Sequence, residues 1–283
     1  MKTNAFRFSN GFLSVLFLVM LTITACTNNE SAADFSLEDS DDASADAIDE
    51  SSNDDAEDIG MTAVISQTSE GGKIAESDVR FECATVTRSG DKAAGVIRID
   101  FGAGCKDKRG RTRKGVIVIS YTGAWKEAGS SSTMTFENYF VNDIQLSGTR
   151  SVVNITTDTT RLKFKVDVED GTATWPDGRV ATRRLHHIRE HERNGSNILM
   201  RLIIYGTATG TNRNGRGYSI EILEPLVYDR KCASEGVFIP VKGKKLIKHG
   251  NRQLTVDYGD GTCDNVVTLI NINGRMKDIR VGG

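Results

Sequence analysis

The sequence predicts an all-β fold of antiparallel sheets, arranged as a sandwich or a large meander, in which a disulfide-closed hairpin unit occurs twice. Three observations predict it. From residue 79 onward, short runs of period-two alternation follow one another, rich in β-branched and aromatic residues, and no segment sustains a helical period. The whole chain holds 28 glycines and three prolines, a balance suited to strands joined by tight turns. And the phrase DFGAGC at 100–105 is nearly repeated as DYGDGTC at 257–263.

In chain order the expected strands are VRFECATV, GVIRIDF, GVIVISY, TMTFENYF, DIQLSGT, RLKFKVDV, NILMRLIIY, YSIEI, LTVDY, NVVTLI and MKDIRV. A turn-former, Gly and Arg recur between them, at Arg109-Gly110-Arg111, Asp177-Gly178-Arg179, Asn214-Gly215-Arg216 and Asn273-Gly274-Arg275. Asn-Gly and Asp-Gly supply the positive φ of type I′ hairpin turns, and an arginine at strand entry discourages edge pairing. A body of about 205 residues is long enough to bury a core of its own.

The repeated phrase belongs to a larger repeat. Cys83-Ala84-Thr85 and Cys232-Ala233-Ser234 each lead through a turn into a strand ending D-[FY]-G and then to a second cysteine, Cys105 or Cys263. The two units lie near 79–123 and 228–281, the second lengthened by a GKKLIKHGN turn. In an oxidising compartment these four cysteines read as two disulfides. Four cysteines allow three pairings; the repeat favours the local one, Cys83–Cys105 and Cys232–Cys263.

Residues 1–25 read as a secretory signal: MKTNAFRF is basic, FLSVLFLVMLTIT is apolar but too short to span a bilayer, and Ala25 precedes Cys26. Ile23-Thr24-Ala25-Cys26 resembles the bacterial lipobox, which implies cleavage before Cys26 and acylation of its thiol. Two or three acyl chains anchor a protein stably. Position 27 is Thr rather than Asp, so the expected address is the outer membrane, on its periplasmic or its outer face. Charge then divides the remainder. Glu30 to Glu70 carries fourteen acidic residues and no Lys or Arg, whereas 73–283 carries 34 basic against 24 acidic residues. Residues 26–72 therefore read as the lipidated cysteine followed by a solvated acidic tether, and 73–283 as the β-rich domain.

Three stretches suggest chemistry. His187-Ile188-Arg189-Glu190-His191 resembles the inverted zinc-protease motif, but that motif needs a helix. A strand puts His187 and His191 on one face and Glu190 on the other, so a polar strand is expected and no cofactor. Asp257, Asp260 and Asp264 among glycines suggest a calcium loop, yet the EF-hand register is absent and a turn is expected. Lys106, Lys108, Arg109, Arg111, Arg113 and Lys114 put six cations in nine residues, a candidate site for a polyanion. A solvated hairpin tip is the plainer reading, and folding back onto the acidic tether is another. No nucleic-acid-binding motif is present, so nucleic acid is not an expected partner.

The phrases IRIDFGAGCKDKRGRTRKGVIVISYTG, TMTFENYFVNDIQLSGTRSVVN, TATWPDGR, GTATGTNRNGRGYSIEI and LTVDYGDGTCDNVVTLININGR, in that order, resemble a family of uncharacterised Bacteroidota lipoproteins. The resemblance implies a β-rich envelope lipoprotein with no assigned activity, substrate or cofactor. The expectation is a lipid-anchored, non-enzymatic protein that binds a glycan, a lipid or another envelope protein, or serves envelope architecture. The alternatives are a polysaccharide hydrolase using two spatially paired carboxylates and a carrier of hydrophobic ligands.

Overall fold

The computed structural model describes residues 37–68, 78–108, 110–157, 161–194 and 199–281. The signal, Ala25, Cys26 and Arg109 lie outside them. Residues 37–283 form one compact unit.

A helix, α1 (Leu37–Thr68), and one 3-10 turn (Val79–Phe81) precede fourteen strands. These are β1 (Thr85–Gly90), β2 (Ala94–Asp100), β3 (Cys105–Lys106), β4 (Thr112–Thr122), β5 (Ser131–Val141), β6 (Ile144–Asn154) and β7 (Arg161–Thr174). Then come β8 (Val180–Arg193), β9 (Leu199–Thr211) and β10 (Gly217–Asp229), and after a short helix α2 (Arg230–Ser234) the strands β11 (Lys242–His249), β12 (Arg252–Asp260), β13 (Val266–Asn271) and β14 (Met276–Arg280). All belong to one antiparallel meander, β1-β2-β4 through to β14 in sequence order, with the two-residue β3 pairing beside β4. Of the two expected architectures the chain adopts the meander.

Two expected elements are different. VRFECATV does not begin as strand: Asp78 Oδ1 accepts from the Arg80 amide and caps the 3-10 turn, so pairing starts only at Thr85. GKKLIKHGN is not a loop, because Lys242–His249 is β11, paired with both β10 and β12. Its lysines interrupt the apolar pattern yet leave alternation enough for a strand.

A line of backbone irregularities crosses the sheet. Pairing slips at Lys114/Val116 in β4, at Met134/Tyr139 between β5 and β6, at Ser147/Thr149 in β6 and at Val168/Gly171 between β7 and β8. Beside the slips Gly115, Asn138, Gly148 and Asp170 take positive φ of 80°, 45°, 108° and 50°. Bulges of this kind bend a strand and increase its twist. The bend gives the sheet a face able to enclose a helix.

The Gly-Arg turns sit where the sequence puts them but differ in type. At 107–111, 175–179, 212–216 and 271–275 the first residue's amide donates to the fifth residue's carbonyl, and the glycine amide donates back to the first carbonyl. Only the glycines take positive φ, 76–87°. These are three-residue loops closed by a glycine bulge, not two-residue type I′ turns. The consecutive left-handed pair of a type I′ turn is found instead at Asn142-Asp143, φ 46° and 67°, between Val141 and its partner Ile144.

The two repeated units are built alike. Each begins with a short helical turn, and its two cysteines flank an antiparallel hairpin, β1-β2 or β11-β12. The bridges are Cys83–Cys105 and Cys232–Cys263, the local pairing. At the end of β2, Asp100 Oδ1 accepts from Gly102 N at 2.8 Å, and near the end of β12, Asp257 Oδ1 accepts from Gly259 N at 2.9 Å. The repeated D-[FY]-G is thus an aspartate-capped corner that turns the chain toward its cysteine. Closing loops of this length is worth about 3.5 kcal/mol each on the chain-entropy model.

The acidic segment is not a solvated tether throughout. Over 37–68 it is helix, and from Ser52 onward its buried positions are Ser52, Ala56, Glu57, Ile59, Gly60, Ala63, Val64 and Thr68. Most of these fall at the three- and four-residue steps of one helix face. Ala56, Ile59, Ala63 and Val64 join the same core as Ile97 and Ile99 of β2, Ile117 and Ile119 of β4, Met134 of β5 and Phe164 and Val166 of β7. At Gly60 an added Cβ would stand 2.8 Å from Met134 Sδ, so the helix touches the sheet there with no room for a side chain.

Gly115 tests the bend. A Cβ there would lie 1.9 Å from the Asn138 carbonyl oxygen at a φ of 80°. Gly115→Ala is expected to cost about 3 kcal/mol, read as a fall in the urea midpoint with the slope of the transition preserved. A change under about 0.5 kcal/mol would mean that the bulge line is not needed to hold the sheet's shape.

Candidate functional site

The chemistry-bearing side chains gather where α1 lies on the sheet. The helix runs from Ser51 and Asp55, beside the start of β4, to Thr68, whose Oγ1 accepts from the Trp125 amide at 3.3 Å just past its end. Its acidic side chains meet arginines that the sheet buries. Arg113, 1% exposed, donates to both Asp55 oxygens at 2.7 Å and to Asp107 Oδ2 at 2.8 Å. Arg111 contacts Asp55 at 3.0 Å and donates to Ser51 Oγ. Deeper in, Glu57 lies 2.7 Å from Arg150 of β6 and accepts from Arg189 of β8 at 2.6 Å.

The electrostatics follow from burial. Desolvation alone would raise the Glu57 carboxyl, but Arg150 and Arg189 together outweigh it and hold it below its ordinary value. Burial pulls Arg150 down despite Glu57, whereas Arg189 is raised because Glu57 and Asp54 overcome its desolvation. Arg113 is held above its ordinary value by Asp55 and Asp107 in spite of burial. Each of these buried charges therefore lies against an opposite one, as a low-dielectric site requires.

The described residues of the basic segment 106–114 divide, Lys106 and Lys108 staying exposed while others turn inward. Arg111 and Arg113 turn inward onto α1, Lys108 pairs with Glu82 at 2.5 Å, and Lys114 lies 4.0 Å over the Phe140 ring. Among the five of these six cations that are described, Lys106 alone is exposed with no such contact. Of the candidate polyanion site, Arg111 and Arg113 are thus occupied by the chain's own acidic helix.

His187, Arg189 and His191 share one face of β8, and Glu190 points to the other. Glu190 pairs there with Lys163 at 2.9 Å and Arg161 at 3.4 Å. On the near face His191 packs against Phe164, centroids 4.9 Å apart, and Trp125, 5.9 Å, with Trp125 stacked on Phe164. The two imidazoles and the carboxylate of the zinc-like motif do not converge, and among the described residues no three His, Cys, Asp or Glu gather as a metal site. Asp257, Asp260 and Asp264 accept from the amides of Gly259, Thr262 and Val266, and so cap their own turns.

The charge pairs under α1 were not legible beforehand, since their partners lie up to 132 positions apart. The signal that pointed toward them was the segregation of acid before residue 72 and base after it. Toward the C-terminal end of α1 a small cleft remains, of about 10 Å³, bordered by Met61, Val64, Trp125, Val152, Asn154 and Phe164. It has space for about one water. Comparison with protein-family models, with curated proteins and with solved structures finds no match for this chain.

Two measurements probe the site. Glu57→Gln leaves Arg150 and Arg189 without their shared carboxylate, and removing one member of a buried pair costs about 3–5 kcal/mol. Amide hydrogen exchange over 56–68 is expected to lose protection by about that much; unchanged protection would show that the ions do not hold α1. His191 supplies a pH dependence. Burial, then Arg193 and Arg189, push its pKa down to about 4 from 6.5. The folded state therefore resists a proton that the unfolded chain accepts, so stability falls as pH drops from about 6.5 toward 4. Glu57, with its lowered pKa, begins to add to the loss only below its unfolded value of about 4.5. Urea midpoints between pH 7 and 5 are expected to decline in the wild type and to be flatter in His191→Gln; equal slopes would contradict this.

Proposed function

We propose that the chain is a lipid-anchored lipoprotein of the bacterial outer membrane, whose folded body binds an envelope component or serves envelope architecture rather than catalysing a reaction. The observation that carries the reading is the pairing of all four cysteines of the body as disulfides, behind a leader ending in Ala25-Cys26. Such bridges persist in oxidising compartments. The body's buried carboxylates support a binding role over a hydrolytic one. Asp55, Asp107 and Glu57 hold arginines in place and are covered by packed side chains, whereas a glycosidase needs its carboxylates bared to a sugar.

One observation favours carriage of a hydrophobic ligand as the second reading. Beneath α1, Ile97, Ile99, Ile117, Ile119, Met134, Phe164 and Val166 of the sheet share one apolar core with Ala56, Ile59, Ala63 and Val64 of the helix.

Metabolic labelling with a palmitate analogue in a Gram-negative host tests the anchor. The wild type is expected to take up label and to sediment with membranes, and Cys26→Ser to lose the label. Labelling independent of Cys26, or an unlabelled wild type found free in the soluble fraction, would overturn the reading. Crosslinking in intact cells with identification of the captured species then separates glycan, lipid and protein partners.

A further inference from the structure

Two arginines meet at one carboxylate beneath α1. Arg150 and Arg189 both contact Glu57, and the next carboxylate, Asp54, stands 3.9 Å from Arg189 with its side chain 51% exposed. The fit is incomplete. Glu57 Oε2 accepts no aligned hydrogen bond although Arg150 Nη2 is 2.7 Å away, and the Nε atoms of Arg150 and Arg189 are buried with no acceptor. Glu57, with the Asn53 carbonyl that accepts from Arg150 Nη1 at 3.1 Å, brings one charge and three oxygens to a place with two guanidinium forks. A phosphomonoester brings up to two charges and three oxygens, in the geometry that arginine forks match in pairs.

The floor continues from these forks as apolar surface. Ile119, Met134, Val152 and Phe164 receive Ile59, Ala63 and Val64 of the helix. From Glu57 to Val64 the helix advances about 10 Å. Along that length it presents a charged end and an apolar stem, the outline of an anionic amphiphile.

The helix does not stand on its own charges. Residues 37–68 hold eleven acidic residues and no Lys or Arg, so like charges repel along it and no internal pair offsets them. Its hold rests on the groove.

We propose that the groove beneath α1 is a binding site for a phosphate-headed amphiphile, the phosphate seated between Arg150 and Arg189 and the acyl chain along Ile119, Met134, Val152 and Phe164, with α1 as the lid that it displaces. The proposal rests on the envelope reading and names the ligand class that such a body takes.

Amide hydrogen exchange of the full chain in dodecyl maltoside tests it, with decyl phosphate, decanol and inorganic phosphate added in separate arms. Decyl phosphate is expected to raise exchange over 56–68 by about tenfold or more while β4–β7 stay protected. Decanol and inorganic phosphate are expected to change it less than about twofold. Arg189→Lys, which keeps the charge and loses the fork, is expected to raise the half-effective concentration of decyl phosphate about fivefold. Gly60→Met, which wedges the helix away from Met134, is expected to lower it.

Unchanged α1 exchange with decyl phosphate would overturn the proposal. So would an equal response to decanol, an equal response to inorganic phosphate, or loss of protection across the strands as well. None of these arms involves Cys26, so an absent acyl anchor and an absent groove ligand give separate results.

Discussion

The buried contact of Glu57 with Arg150 and Arg189, together with that of Asp55 with Arg113, is the constraint on which the rest of the structure depends. Arg113, at the start of β4, and Arg150, in the middle of β6, project into the core, where an unpaired guanidinium is untenable. Their carboxylate partners come largely from a segment that precedes the sheet and carries only acid. Neither part is self-sufficient. The helix repels itself without the arginines, and the sheet holds uncompensated charge without the helix. Docking resolves both, and it orients the small apolar face of Ala56, Ile59, Gly60 and Ala63 toward the strands at the same time.

The sheet is shaped to receive that helix. Bulges at successive strands bend it, and aspartate-capped corners with disulfides pin the hairpins β1-β2 and β11-β12 at either end of the meander. Both devices are local, so a long meander acquires curvature without closing on itself. Its concave surface is consequently the one place where apolar floor, stacked Trp125 and Phe164, and buried cations coincide. The chain's own helix fills that space.

How much was readable from the letters depends on whether the signal is local. Most strands were legible, because alternation and turn-formers act within a few residues of each other. The disulfide pairing was legible because the sequence writes the unit twice. The turn positions were legible and their type was not, since a glycine after Asn or Asp serves a bulged three-residue loop as well as a two-residue turn. Lys242–His249 was lost among its lysines. The helix was missed for a deeper reason. Its buried face is largely Ala, Gly and Ser, with Ile59 and Val64 the only large apolar residues among its described buried positions, so it has little amphipathic signature. What stabilises it lies in arginines scattered over three distant strands, and a linear reading sees their charge only as a composition shift.

A double-mutant cycle between positions 57 and 189 measures the central claim directly, with unfolding free energies of the wild type, Glu57→Gln, Arg189→Gln and the pair. If the buried ions couple helix to sheet, the pair costs less than the two single changes together by about 1.5–3 kcal/mol. Strict additivity would contradict the account and leave α1 an incidental passenger on the sheet.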